Sequence, residues 1–149
     1  MTVLVDIGNT RIKWATLSAG KLVRRGSAVH RDSLDAALAA FAAELPARSR
    51  IIVANVAGAR MAAHLATLAA QRPGTSLTFV ATTAEQFGVR CAYTEPSRLG
   101  VDRWVAVLAA YHAASGAACA IDADGALLVE TDGGKRRVVA GDVSVRSVE

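Results

Sequence analysis

Asp6, Gly8, Asn9, Thr10 and Lys13 bring a carboxylate, a glycine, an amide, a hydroxyl and an ammonium together in the stretch "DIGNTRIK". Phosphates are held by short loops whose backbone amides point inward, with glycine allowing close approach. Gly8 is expected to take the positive φ of a tight turn. Asn9 and Thr10 supply side-chain and backbone donors. Asp6, at a strand end, can hold Mg2+ directly or through water, because magnesium uses few carboxylates and keeps several waters. Lys13 can reach a phosphate as a point charge. The same residues also suit a plain structural turn capped by Asp6.

A second cluster is "RLGVDRW", residues 98–104. Gly100 gives freedom just before a helix. Asp102 falls near that helix's N-terminus, where the macrodipole favours a carboxylate. It is either a helix cap or a general base for a substrate hydroxyl. Arg103 can grip a substrate carboxylate, bidentately at best, or simply face solvent. Trp104 reads as core. His30, His64 and His112 carry weak signals and read as satisfied histidines.

These residues need elements to hold them. Residues 2–7 read as a buried strand, and Ile12, Trp14 and Leu17 as a second strand after the turn. "SAGKL" places Gly20 in a tight turn, and "LVRRGSAVH" reads as a third strand. Asp32 or Ser33 caps a helix through Leu34, Leu38, Phe41 and Leu45, which Pro46 stops. A strand over 50–58, a helix over 59–71 with Met61, Leu65 and Leu68 on one face, and a strand over 75–82 follow. The first half thus runs β-β-β-α-β-α-β, a mixed sheet with covering helices. From Thr83 to Gly100 no period is sustained, and a loop of that length is more often functional than idle. A helix is expected over 101–115. In the remaining tail, Asp-Gly at 124–125 and Asp-Gly-Gly at 132–134 are hairpin signals.

The bulk numbers fit this picture. The chain has 149 residues, 52% hydrophobic and 20% charged, so it is globular and not disordered. The net charge of +4 suits an anionic ligand but is too small and dispersed for nucleic acid. No apolar run approaches membrane-spanning length, and no secretory signal opens the chain, so a membrane role is not expected. Cys91 and Cys119 have no metal or CxxC spacing, which suits a reduced, cytoplasmic protein.

The pair "DIGNTRIKWA" and "YTEPSRLGVDRWVAVLAAY" resembles type III pantothenate kinase, including its Bvg accessory factor-like branch, over roughly residues 1–122. The resemblance implies an α/β, ribonuclease H-like fold of the actin, Hsp70 and sugar kinase superfamily, with residues 1–120 as its N-terminal kinase half. It implies that Asp6, Gly8, Asn9, Thr10, Arg11 and Lys13 form the first ATP phosphate loop, with Asp6 on Mg2+. It implies that Tyr93, Gly100, Val101, Asp102 and Arg103 contact pantothenate, with Asp102 taking the proton. Asp122 matches the family's carboxylate ligand to a monovalent cation, K+ or NH4+. The family usually dimerises, so a homodimer is expected. The family continues D-x-G-T-A after that aspartate, where this chain reads Asp122-Ala123-Asp124-Gly125-Ala126. A carboxylate then stands where the second phosphate loop has a small residue, and the threonine donor is lacking. The kinase's second half is also missing from these residues.

The tail, residues 121–149, resembles something else: the β-rich C-terminal end of a biotin protein ligase, on "IDADGALLVETDGGKRRVVAGDVSVR". No ligase catalytic core accompanies it. The sequence therefore leaves rival expectations open. One is an ATP-dependent pantothenate kinase-like phosphotransferase, incomplete as it stands. Another is a non-catalytic binding or regulatory module, or part of a ligase–kinase fusion. A third is a kinase whose missing half comes from another chain.

Overall fold

The computed structural model describes residues 1–113, 119–121, 127–131 and 134–138. The chain divides into two compact units, Met1–Ala81 and Thr82–Glu149.

The first unit is a five-stranded mixed sheet. Its strands are β1 (Thr2–Ile7), β2 (Arg11–Ser18), β3 (Lys21–Val29), β4 (Arg50–Asn55) and β5 (Ser76–Phe79), in the order β3-β2-β1-β4-β5. The pairs β1–β2 and β2–β3 are antiparallel, whereas β1–β4 and β4–β5 are parallel. The parallel pairs require crossovers. These are α1 (Leu34–Glu44) and α2 (Ala59–Ala70).

Strand alternation sends one face of the sheet onto both helices. Val3, Val5, Ile7, Ile12, Trp14, Ile51 and Val53 pack with Phe41, Leu45, Met61 and Leu65 in one core. The ring of Trp14 meets Phe41 edge-on at 5.4 Å and donates through Nε1 to Glu44, at 3.1 Å. Its cross-strand partner is Gly26, and a Cβ there would sit about 2.4 Å from the indole. Period-two alternation from Ile12 brings in Thr16, which is buried, and turns Leu17 outward.

Local signals set the helix ends. Ser33 caps α1, its hydroxyl accepting from the Ala36 N–H, and Leu45 and Pro46 follow its last turn. Arg72, just past α2, donates to the Ala42 and Leu45 carbonyls and so satisfies the last turn of α1. The β2–β3 connection is Ala19-Gly20, both at positive φ, as a two-residue turn of the primed class demands.

The second unit opens with a short hairpin of β6 (Glu85–Gln86) and β7 (Val89–Arg90), a 3-10 turn at Pro96–Arg98, and α3 (Val101–Ala113). The stretch expected to lack regular structure therefore contains a hairpin. Its turn is Phe87-Gly88, both at positive φ, and only Gly88 announces it in sequence. Val89, Leu99, Trp104, Val107 and Leu108 form a core of their own, with Cys91, Tyr93 and Tyr111 packed against it. Trp104 is fully buried, as expected, and its Nε1 donates to Gln86 at 3.2 Å. The strands β8 (Cys119–Ile121), β9 (Leu127–Thr131) and β10 (Gly134–Val138) make an antiparallel sheet in the order β10-β9-β8. Asp122, residues 124–125 and residues 132–133, on which the cation site and the two hairpin turns were expected, lie outside the described residues.

Candidate functional site

The turn after β1 is tight. Ile7 pairs with Ile12, both fully buried, so the two strand ends are fixed by the core. The Gly8 N–H donates to the Arg11 carbonyl at 3.0 Å and closes the turn around Asn9 and Thr10. The expected positive φ at Gly8 is corrected: the left-handed glycines among the described residues are Gly20, Gly58, Gly74 and Gly88. The turn closes through backbone pairing and needs no left-handed residue. A Cβ at Gly8 would meet only the Arg11 carbonyl oxygen, at 4.0 Å. Neither φ nor packing within the chain therefore demands glycine here, so its missing side chain leaves space beside the turn.

Asn9 and Thr10 are both exposed, and among the described residues their N–H groups have no protein acceptor. The turn therefore presents open main-chain donors. Asp6 and Lys13 are directly opposed on β1 and β2, on the sheet face away from α1 and α2. Lys13 Nζ lies 3.6 Å from Asp6 Oδ2. Both side chains are more than half exposed, so the pair contributes under about 1 kcal/mol and either partner can be recruited elsewhere. Arg11 is exposed and directed by a 3.4 Å bond to the Ser27 hydroxyl. All six residues expected in the first cluster thus fall on one turn and its flanking strands.

Two features of this region escaped sequence reasoning. His30, just past β3, donates its N–H to the Thr10 carbonyl at 2.9 Å and places Nε2 2.8 Å from the Gly8 carbonyl. Asn55 ends β4 beside Ile7, accepting from the Ala57 N–H at 2.9 Å and donating to the Gly58 carbonyl at 3.0 Å. The turn and the Asn55–Gly58 loop thus both follow the carboxyl ends of parallel strands, where open α/β sheets bind ligands. Apolar residues around Asn55 announced a strand, and only a side chain folded back on its own loop separates its end from its middle.

In the second unit, the Gly100 carbonyl accepts from the Trp104 N–H at 3.1 Å and so begins α3. Asp102 and Arg103 are exposed in its first turn. Asp102 Oδ1 accepts from the Arg103 N–H at 2.8 Å, which leaves its second oxygen open. Val101 is buried, so it can offer a ligand its main chain but not its side chain. Tyr93 is half-buried against this unit's core. Thr82 fixes the entry to the helix, its hydroxyl donating to the Leu99 carbonyl at 2.9 Å.

Among the described residues no group of three or more His, Cys, Asp or Glu is placed to hold a metal. Asp6 itself offers one exposed carboxylate. No helix among the described residues is long and apolar enough to cross a membrane.

A family model described as type III pantothenate kinase matches residues 2–141. A type III pantothenate kinase of Aromatoleum aromaticum is 34% identical over 160 aligned positions, which cover 97% of this chain and 64% of that protein. Those of Paraburkholderia phytofirmans and Burkholderia thailandensis are each 38% identical. They cover 74% and 76% of this chain, and 40% and 43% of their own lengths. The chain therefore spans from about two-fifths to just under two-thirds of the relatives it matches.

Proposed function

The chain belongs to the type III pantothenate kinase family, and on that premise we propose that it carries the first-phosphate-loop half of an ATP-dependent pantothenate kinase. The single observation behind this reading is the turn Gly8–Thr10: open amide donors beside Lys13, with space where Gly8 lacks a side chain. Gly8, Asn9, Thr10, Arg11 and Lys13 bind the ATP phosphates. Asp6 holds Mg2+, which supplies charge neutralisation on the phosphate oxygens. Asp122 is the ligand for a monovalent cation, K+ or NH4+.

Tyr93, Gly100, Val101 and Arg103 orient pantothenate, with Arg103 on its carboxylate. The primary hydroxyl of pantothenate attacks the γ-phosphorus. A new P–O bond forms, the bond from the γ-phosphorus to the β–γ bridging oxygen breaks, and ADP departs. The hydroxyl proton goes to the open oxygen of Asp102. Such transfers are catalysed mainly by positioning and charge neutralisation, for which these groups suffice in kind. Efficient turnover also needs the opposite wall of the cleft to exclude water. We therefore assign that wall to a homodimer partner or to chain beyond these residues, in a cytoplasmic setting where ATP is abundant.

A second reading keeps ligand binding without turnover, and the sequence Asp122-Ala123-Asp124-Gly125 favours it. Residues 121–149 then act as a β-rich extension similar to the end of a biotin protein ligase. The family match continues past Ile121 to residue 141, and β8 pairs with β9.

The test is an ADP-release assay on the pure chain with ATP, Mg2+, K+ and pantothenate. Pantothenate-dependent ADP release supports the kinase. Calorimetric binding of either ligand with no ADP release supports the second reading. Neither binding nor turnover rejects both.

A further inference from the structure

His30 sits 22 residues from Gly8 in sequence yet makes two hydrogen bonds to the turn. A carbonyl oxygen only accepts, so the 2.8 Å contact requires a proton on Nε2. The backbone N–H of the same residue holds the Thr10 carbonyl. Peptide units are planar, and no cis bonds occur among the described residues. In a trans peptide the C=O and the following N–H point opposite ways. Holding the Gly8 carbonyl toward His30 therefore aims the Asn9 N–H away from it. The same logic orients the Thr10–Arg11 peptide. Gly8 is fixed on its other side by its own N–H bond to Arg11.

We infer that His30 is a positioning residue: its ring, through Nε2–H to the Gly8 carbonyl, locks the peptide plane that aims the Asn9 amide at a phosphate. Glycine at 8 explains why such a lock is useful. Without a Cβ, and with no helix continuing from it, the Gly8–Asn9 plane has more freedom than any other in the turn. A preorganised donor need not be ordered when the anion arrives, which raises affinity without any new ligand contact. The half-buried ring sits against the turn. Its ligand class is the one already proposed, a nucleotide phosphate, so the inference rests on that reading for its ligand but not for the lock itself.

Two measurements on the full chain decide it. The first is nitrogen-15 NMR of wild-type imidazoles, which reports the tautomer of His30. A proton on Nε2 is expected, and a ring protonated only at Nδ1 overturns the inference without any variant. The second compares wild type, His30→Phe and His30→Gln by backbone relaxation and by calorimetry with Mg-ATP. The phenyl ring keeps the bulk and loses the donor, whereas the glutamine amide keeps a donor. Order parameters at Asn9 and Thr10 are expected to fall in His30→Phe and recover in His30→Gln. Mg-ATP affinity is expected to drop about five- to tenfold and recover to within about threefold, the scale of one hydrogen bond. Unchanged order parameters in His30→Phe, or no recovery in His30→Gln, overturn it. A wild type that binds no Mg-ATP rejects the kinase reading alone. The tautomer and relaxation data then still support or overturn the lock.

Discussion

The two candidate centres are made from different parts of the chain's chemistry. The turn after β1 offers main-chain amides, held by strands whose ends, Ile7 and Ile12, are fully buried. The start of α3 offers side chains, Asp102 and Arg103, on a helix anchored by Trp104. A main-chain site tolerates side-chain truncation but not a change of backbone or an added atom. A side-chain site is the reverse: one functional group carries the chemistry, and its scaffold can be repaired.

The largest expected effect lies at the side-chain centre. If Asp102 takes the hydroxyl proton, Asp102→Asn lowers kcat for pantothenate-dependent ADP release by about 10^2- to 10^4-fold, with ATP affinity unchanged. Equal turnover in the two proteins breaks the assignment. Next comes Gly26→Ala, which drives a methyl into the Trp14 indole and is expected to cost about 1–3 kcal/mol in denaturant unfolding. A neutral result means the ring is free to shift, and the turn's support is looser than the packing implies.

Gly8→Ala sharpens the contrast further. Its stability is expected to change by less than about 1 kcal/mol, because φ is ordinary and the nearest atom is at contact distance. Mg-ATP affinity should nonetheless fall as the methyl occupies the space beside the turn, measurable by calorimetry. A fall in stability with intact affinity reverses the reading of that space. The smallest effect belongs to Asp6 and Lys13. A double-mutant cycle with alanine at each is expected to give a coupling below about 1 kcal/mol that shrinks further in added salt. A larger coupling makes the pair structural and removes both groups from ligand binding.

Much of the first unit was readable residue by residue. Alternation from Val3 to Ile7, the Ser33 cap, Pro46 and the apolar spacing of α2 are local signals, and each element followed them. The hairpin at Phe87-Gly88 was missed because phenylalanine seldom adopts the left-handed conformation that this turn requires.

By itself the sequence determined the type and order of the early elements, and it grouped Asp6 to Lys13 and Gly100 to Trp104, because those relations span only a few bonds. Only the tertiary structure decided that Gly8 lies outside the left-handed region and that His30 returns to hold the turn. Each depends on groups brought together by strand pairing across long stretches of chain. Such contacts are selected by the free energy of the whole sheet, and no local residue preference encodes them.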